Sequence, residues 1–388
     1  MLTLGLEEKL PHFRVDLARL PAAVDLVLDI TRTNYPSLDV PFHSRWRHFV
    51  SDGRDRWATL DRNTEWPDLA ARGRAAFDLA IVSVLLDAGA GPQWHYHDAA
   101  SGRDIGRSEG LALASFAMFE KGAFSSDAEL PLQADAEGLK ALSGDALAAG
   151  FQVSASNPLV GVEGRVGLLR RLGQLVASKP EVFGRNAAPR PGGLFDHFAA
   201  LATDRRVSAP TILAELLHHL GSIWPSRLSL GGVPLGDCWH HPSLKTSDAT
   251  NGLVPLHKLS QWLAYSLIEP LQWSGIAVSD IDGLTGLSEY RNGGLFIDAG
   301  VLKLRDAADA ARQHTVDSTL VVEWRALTVA LLDKLADAMR RRLDMDATML
   351  PLAKVLEGGT WAAGRVIARQ KRPDGSPPLK IVSDGTVF

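Results

Sequence analysis

The chain has 388 residues, 46% of them hydrophobic and 22% charged, with a formal net charge of −4. That composition supplies an ordinary globular core and lacks the basic surplus that wraps a nucleic-acid backbone. Cys238 is the single cysteine, so no intrachain disulfide forms. Residues 1–16 carry neither the basic start nor the long apolar run of a signal peptide, and no apolar run elsewhere suits a bilayer span, which points to a cytoplasmic protein.

Taken in chain order, helical periodicity dominates. The run 77–89, FDLAIVSVLLDAG, reads as a buried helix ended by Gly89, and 106–122 as a second with Ser108 as its N-cap. In 164–180, Val166, Leu169, Leu172 and Val176 share one face and the helix stops before Pro180. The stretch 185–193, RNAAPRPGG, breaks the pattern, so residues 1–388 form either one unit or two packed helical lobes that part there. In 208–221, Ser208 caps, Pro210 sits in the first turn and Gly221 closes the helix. Short β pieces are expected within 227–239 and 379–388. Residues 255–271 place Leu259, Trp262, Leu263 and Leu267 on one stripe, and 323–343 place Trp324, Leu327, Leu331, Leu335 and Met339 on another. The stretch 369–380 reads as loop. The fold class is mainly α, helices packed on helices, with a few short β segments and no internal repeat.

Several chemistries find no support. WHYHD holds His95 and His97, and CWHH holds Cys238, His240 and His241, but neither has the ligand spacing of a zinc finger or zincin. His218 and His219 sit on a helix. The glycines of GVEGRVG do not make a dinucleotide fingerprint, although Glu163 and Arg165 beside them pair with each other or meet a ligand. No nucleophile elbow or P-loop occurs.

Two features invite chemistry. Glu289, Tyr290, Arg291 and Asn292 stand together before Gly293-Gly294, which is either a surface turn or a binding loop. Lys258 heads an apolar helix, where it is either partly desolvated or snorkels to solvent. Spacing alone does not show that Lys258 and Glu289, 31 residues apart, meet.

The motifs HSRWRHF, DLAIVSVLLDAGAG, RSEGLALASF, GVEGR, HKLSQWLAYSLIEPL, EYRNGGLFIDAGVL and DGTVF resemble the uracil-catabolism family known as Urc-four or Urg-three, over nearly the whole chain. That resemblance implies a role after the uracil ring, carried as a ribonucleotide, has been opened: hydrolysis of the ribosyl C1′–N bond of ribosylurea, either free or as the expected 5′-phosphate, to urea and ribose or ribose phosphate. More distantly the chain is similar to queuosine salvage N-glycosidases, and through them to helix-hairpin-helix DNA glycosylases, which implies a two-lobed helical fold. Their site lysine and aspartate fall on Lys258 and Glu289, followed by Tyr290 and Arg291; the departure is a glutamate where those proteins have aspartate.

What the resemblance implies for mechanism follows from the bond. Positive charge builds at C1′ as nitrogen leaves, and a carboxylate beside it stabilises that charge and takes a proton from water. Glu289 is expected in that role, with Lys258 lowering its pKa. Asp298 and Asp237 are candidates for protonating the urea nitrogen, Asp298 serving otherwise as a helix cap before AGVLKL. Arg291 and Arg325 are candidates for a phosphate, and Trp262, Tyr290 and Trp324 for the pocket wall or the core. Asn292 completes the binding loop, and Gly293-Gly294 let the backbone turn close to the ligand before the next helix. No metal or cofactor is implied. The expected partner is a small ribosyl substrate, not nucleic acid or membrane. The rival readings are an N-glycosidase acting on a larger nucleoside 5′-monophosphate such as queuosine phosphate, and a non-catalytic scaffold of the pathway.

Overall fold

A computed structural model of the chain describes residues 1–184, 188–224 and 226–382. About 53% of the described residues are helical, and the strands among them occur in pairs of two to four residues each, as the dominant 3.6-residue periodicity requires. Among the described residues no helix is long and apolar enough to cross a membrane. The chain folds into two compact units. Unit 1 comprises Met1–His43, Pro225–Gln261 and Asp280–Phe388; unit 2 comprises Ser44–Trp224 and Trp262–Ser279.

Unit 1 is organised on the helix Thr319–Leu343. Ser318 caps its start by accepting a hydrogen bond from the Val321 amide, and Arg340, Arg341 and Arg342 complement the negative end of its dipole. Trp324, Leu327, Leu331, Leu335 and Met339 are all buried, as their spacing predicts. The helices Leu20–Asn34 and Tyr290–Asp298 pack on it, and Trp361–Lys371 packs on the latter. That last approach needs a glycine: a Cβ at Gly364 would collide with the Arg291 carbonyl. Short strands stitch distant segments together. Phe13–Val15 pairs antiparallel with Leu302–Leu304, Cys238–His240 with Leu253–Pro255, and Gln313–Thr315 runs parallel to Lys380–Val382. Buried Glu323 reinforces the first of these, accepting from the Phe13 amide at 2.7 Å and lying 3.3 Å from His241 Nε2.

Unit 2 is built on Leu69–Leu85, capped by Asp68 and buried along most of its length, so the helix begins eight residues before the periodic run and ends four before Gly89. Arg107–Glu120, Val162–Ser178 and Gly193–Leu201 pack against it. Val166, Leu169, Leu172 and Val176 form the buried face of Val162–Ser178. Arg165 does not pair with Glu163; it donates instead to the carbonyls of Leu86, Ala88 and Gly89, closing the open end of the Leu69–Leu85 helix. The helix Ala209–Leu220 is capped by Ser208, with Pro210 in its first turn and Gly221 after its last. Trp46 packs against Trp57 and Trp273 at 5.2 and 4.8 Å between ring centroids, so much of the tryptophan content is core.

Some local expectations differ from the structure, and others fall partly outside the described residues. Ser108 is not a cap. The helix Arg107–Glu120 starts from Gly106, and the Ser108 hydroxyl donates to Asp87 and accepts from Arg45. Residues 369–371 belong to a helix, the loop beginning only at Arg372. Residues 188–193 of the break fall within unit 2, while 185–187 lie outside the described residues. The expected C-terminal strand is Lys380–Val382, and the DGTVF motif lies outside the described residues.

Gly293 lies against the Trp324 indole, where a Cβ would stand 2.7 Å from the ring. Gly293→Ala should therefore overpack the core of unit 1 and cost about 1–3 kcal/mol, measured as a lower urea midpoint with an unchanged slope.

Candidate active site

The stretch that reads as a turn before a helix is itself the start of one. Tyr290–Asp298 is helical, with Gly293 and Gly294 in its interior, because Glu289 caps it: its two carboxylate oxygens accept from the amides of Arg291 at 2.7 Å and Asn292 at 2.5 Å. The glycines serve close packing against Trp324 and Pro378. Asn292 faces inward and donates to the Leu287 carbonyl.

Lys258 opens the helix Lys258–Trp273. Asp237 receives that helix start: its Oδ2 accepts the Lys258 amide at 2.9 Å, and its backbone carbonyl accepts from the His257 amide. The same carboxylate pairs with Arg325 through two hydrogen bonds of 2.8 Å and accepts from the Trp239 indole at 2.5 Å. Arg325 Nε in turn donates to the carbonyl of Ser288, the residue before Glu289. Gln261 Oε1 accepts from Thr285 nearby. One fork of arginine and aspartate thus fixes both the lysine and the glutamate in unit 1.

The electrostatics follow. Burial alone would raise Asp237, but the Arg325 charge and hydrogen bonds, with those of Trp239 and the Lys258 amide, hold it at about 2. Glu289 moves the other way. Burial raises its carboxyl above the usual range and outweighs the two amides and the charges of Lys258 and Arg291, which lower it. Lys258 therefore acts on Glu289 in the expected sense and within electrostatic reach, yet the net shift is upward. His257, immediately before Lys258, has the left-handed backbone φ of 45°, which β-carbon crowding disfavours. Burial depresses its imidazole, Asp237 favouring and Arg325 opposing the charged form.

The remaining expected residues are held elsewhere. Asp298 ends the Tyr290–Asp298 helix instead of capping the next; AGVLKL runs through a turn into the strand Leu302–Leu304. Nine helical residues place it about 13 Å along the axis from Glu289, where it pairs with Arg372 at 2.8 and 2.5 Å. Asp298 and Glu289 thus stand at opposite ends of one helix. Arg291 stacks over Tyr290 at 5.0 Å and donates to the Gly375 carbonyl. Trp324 is core, its indole N–H donated to Gly293 O. Trp262 belongs to unit 2, where Arg45 and His48 lie 5.4 and 5.6 Å from its ring. His257, Gln261 and Ser288 were not singled out by sequence, although Gln261 lies one turn after Lys258 on the same helix face.

Because the folded-state pKa of Asp237 lies below its ordinary 3.8, its contribution to stability is complete above about pH 4 and disappears as pH falls toward 2. The shift corresponds to about 2 kcal/mol. Acid titration of unfolding should show this loss in the wild type and not in Asp237→Asn, which should be less stable at pH 7 by about 3–5 kcal/mol because Arg325 is left buried without its partner.

Across residues 1–388 the chain matches the family model described as "Protein of unknown function (DUF1688)". It is 41% identical to "Protein urg3" of Schizosaccharomyces pombe, over 98% of this chain and 93% of that protein. It is 38% identical to "Uracil catabolism protein 4" of Lachancea kluyveri, over 97% of this chain and 92% of that protein.

Proposed function

The chain belongs to the family described as "Protein of unknown function (DUF1688)", and from that membership we propose that it acts in uracil breakdown as an N-glycosidase-type hydrolase, cleaving the C1′–N bond of ribosylurea to urea and ribose. The name of the Lachancea kluyveri relative supports the pathway. The observation that carries the chemistry is the Glu289 carboxyl, raised by burial, with the Lys258 ammonium within electrostatic reach. A base works best when its pKa approaches the working pH, so a raised glutamate suits proton abstraction from water better than an ordinary one.

In this reading Glu289 lies beside C1′. As the C1′–N bond breaks, its negative charge stabilises the oxocarbenium-like sugar. It then takes one proton from the attacking water, whose oxygen bonds to C1′. The leaving nitrogen gains a proton and departs as neutral urea. Asp298 is paired with Arg372 and remote from Glu289, and Asp237 is held ionised by Arg325. Lys258 is therefore assigned to supply the hydrogen bond and proton to the urea nitrogen. Arg325 and Asp237 are positioning residues, and Tyr290 with Arg291 forms the adjoining wall. Arg291 and Arg325 already bond to Gly375, Ser288 and Asp237, so the unphosphorylated ribosyl substrate is favoured over its 5′-phosphate. The two-lobed architecture of helix-hairpin-helix glycosylases belongs to the same proposal.

Incubation of the protein with ribosylurea and with its 5′-phosphate, followed by urea quantitation, tests this reading. Urea is expected from ribosylurea, with Glu289→Gln reducing the rate by roughly 10²- to 10⁴-fold. Turnover of Glu289→Gln within a few-fold of wild type would overturn the base assignment. Absence of urea from both compounds would overturn the substrate.

The pH profile is a separate test. With Glu289 raised, the acidic limb of activity should lie above pH 4.5. Lys258→Met removes a charge that favours the carboxylate and should move that limb higher, alongside its loss of turnover.

A further inference from the structure

Unit 2 contains a second gathering of titratable side chains, which the proposed reaction does not use. Glu215 and His219 are four residues apart on Ala209–Leu220 and share one face of that helix. His197 joins them from Gly193–Leu201, whose buried face is Leu194, Phe195 and Phe198. Glu215 Oε2 stands 2.6 Å from His197 Nε2 and 3.1 Å from His219 Nε2. One ligand-type atom from each of the three residues lies within 4.8 Å of the others.

These separations suit a small cation. A tetrahedral ion with bonds of about 2.0–2.2 Å to imidazole nitrogen and carboxylate oxygen spaces its ligand atoms roughly 3.3–3.6 Å apart. The observed atoms need only small rotations to reach that arrangement. His219 is 8% exposed, so its Nε2 meets Glu215 from a largely desolvated side of the cluster. His197 and Glu215 are only half-buried, so solvent reaches the cluster.

We propose that His197, Glu215 and His219 form a binding site for a divalent transition-metal ion of the zinc class, with water as the fourth ligand. Two imidazoles, one carboxylate and an open position are the donor set such ions take when they retain a reactive coordination place. The site also accounts for the meeting of two histidines on one carboxylate, where a simple ion pair needs only one. Metal binding and turnover at Glu289 are independent claims.

Titration of the chelator-stripped full chain with Zn²⁺ by calorimetry, and with Co²⁺ by its visible absorption, tests the site. Equimolar Zn²⁺ uptake is expected, with a tetrahedral Co²⁺ spectrum. His197→Ala and His219→Ala should each weaken binding by more than the roughly 10- to 100-fold that loss of an outer-shell partner costs. His218→Ala, outside the ligand set, should bind as wild type does. If His219→Ala does not fold, His197→Ala and Glu215→Gln carry the test. No Zn²⁺ uptake by the wild type, or uptake unchanged in the folded variants, would overturn the assignment.

Discussion

The geometry of the candidate site depends on the fork between Arg325 and Asp237. Two residues 88 positions apart make two parallel hydrogen bonds, and their remaining donors and acceptors reach outward. Asp237 holds the start of the Lys258–Trp273 helix, and Arg325 holds the loop that delivers Glu289. A buried pair of this kind adds little net stability against an apolar pair of the same volume, because desolvating two ions is costly. What it supplies is direction, since a planar guanidinium and a planar carboxylate match in only a few orientations. An apolar contact at this point would leave Lys258 and Glu289 free to slide relative to each other.

Glu289 combines two demands that pull against each other. As an N-cap it accepts two amide hydrogens, which favours the ionised form. Burial disfavours that form more strongly. Glutamate is a less common cap than serine, threonine or aspartate, because its longer side chain must fold back on its own backbone. Its use at this position is a local compromise of the kind expected where a residue serves more than the helix.

The long helices were legible because amphipathic periodicity reports burial directly: Ser208, Pro210 and Gly221 bound their helix as read, and the buried stripe of Thr319–Leu343 is the stripe in the sequence. Tyr290–Asp298 was not, since its polar start and paired glycines imitate a turn, while its packing against Trp324 and Trp361–Lys371, which supports the helix that Glu289 caps, leaves no local pattern. Ser108 misled for a related reason. Its hydroxyl was taken up by Asp87 and Arg45, partners that no local pattern displays. At the candidate site, Lys258 and Glu289 were singled out through a resemblance to family motifs. The partners of Asp237, Arg325 and Asp298 depend on ion pairs across 74 to 88 residues, which spacing cannot encode.

The segmented build of unit 1 has a consequence for synthesis. Phe13 meets Glu323, a partner 310 residues later, and the strand beside it pairs with Leu302–Leu304. At roughly 5–20 residues per second on the ribosome, the amino-terminal segment waits about 15–60 s for those partners. All of Ser44–Trp224, the larger part of unit 2, emerges within that interval. The strand Phe13–Val15 is therefore made long before Leu302–Leu304, the strand it pairs with, and its backbone edge stays open through that interval.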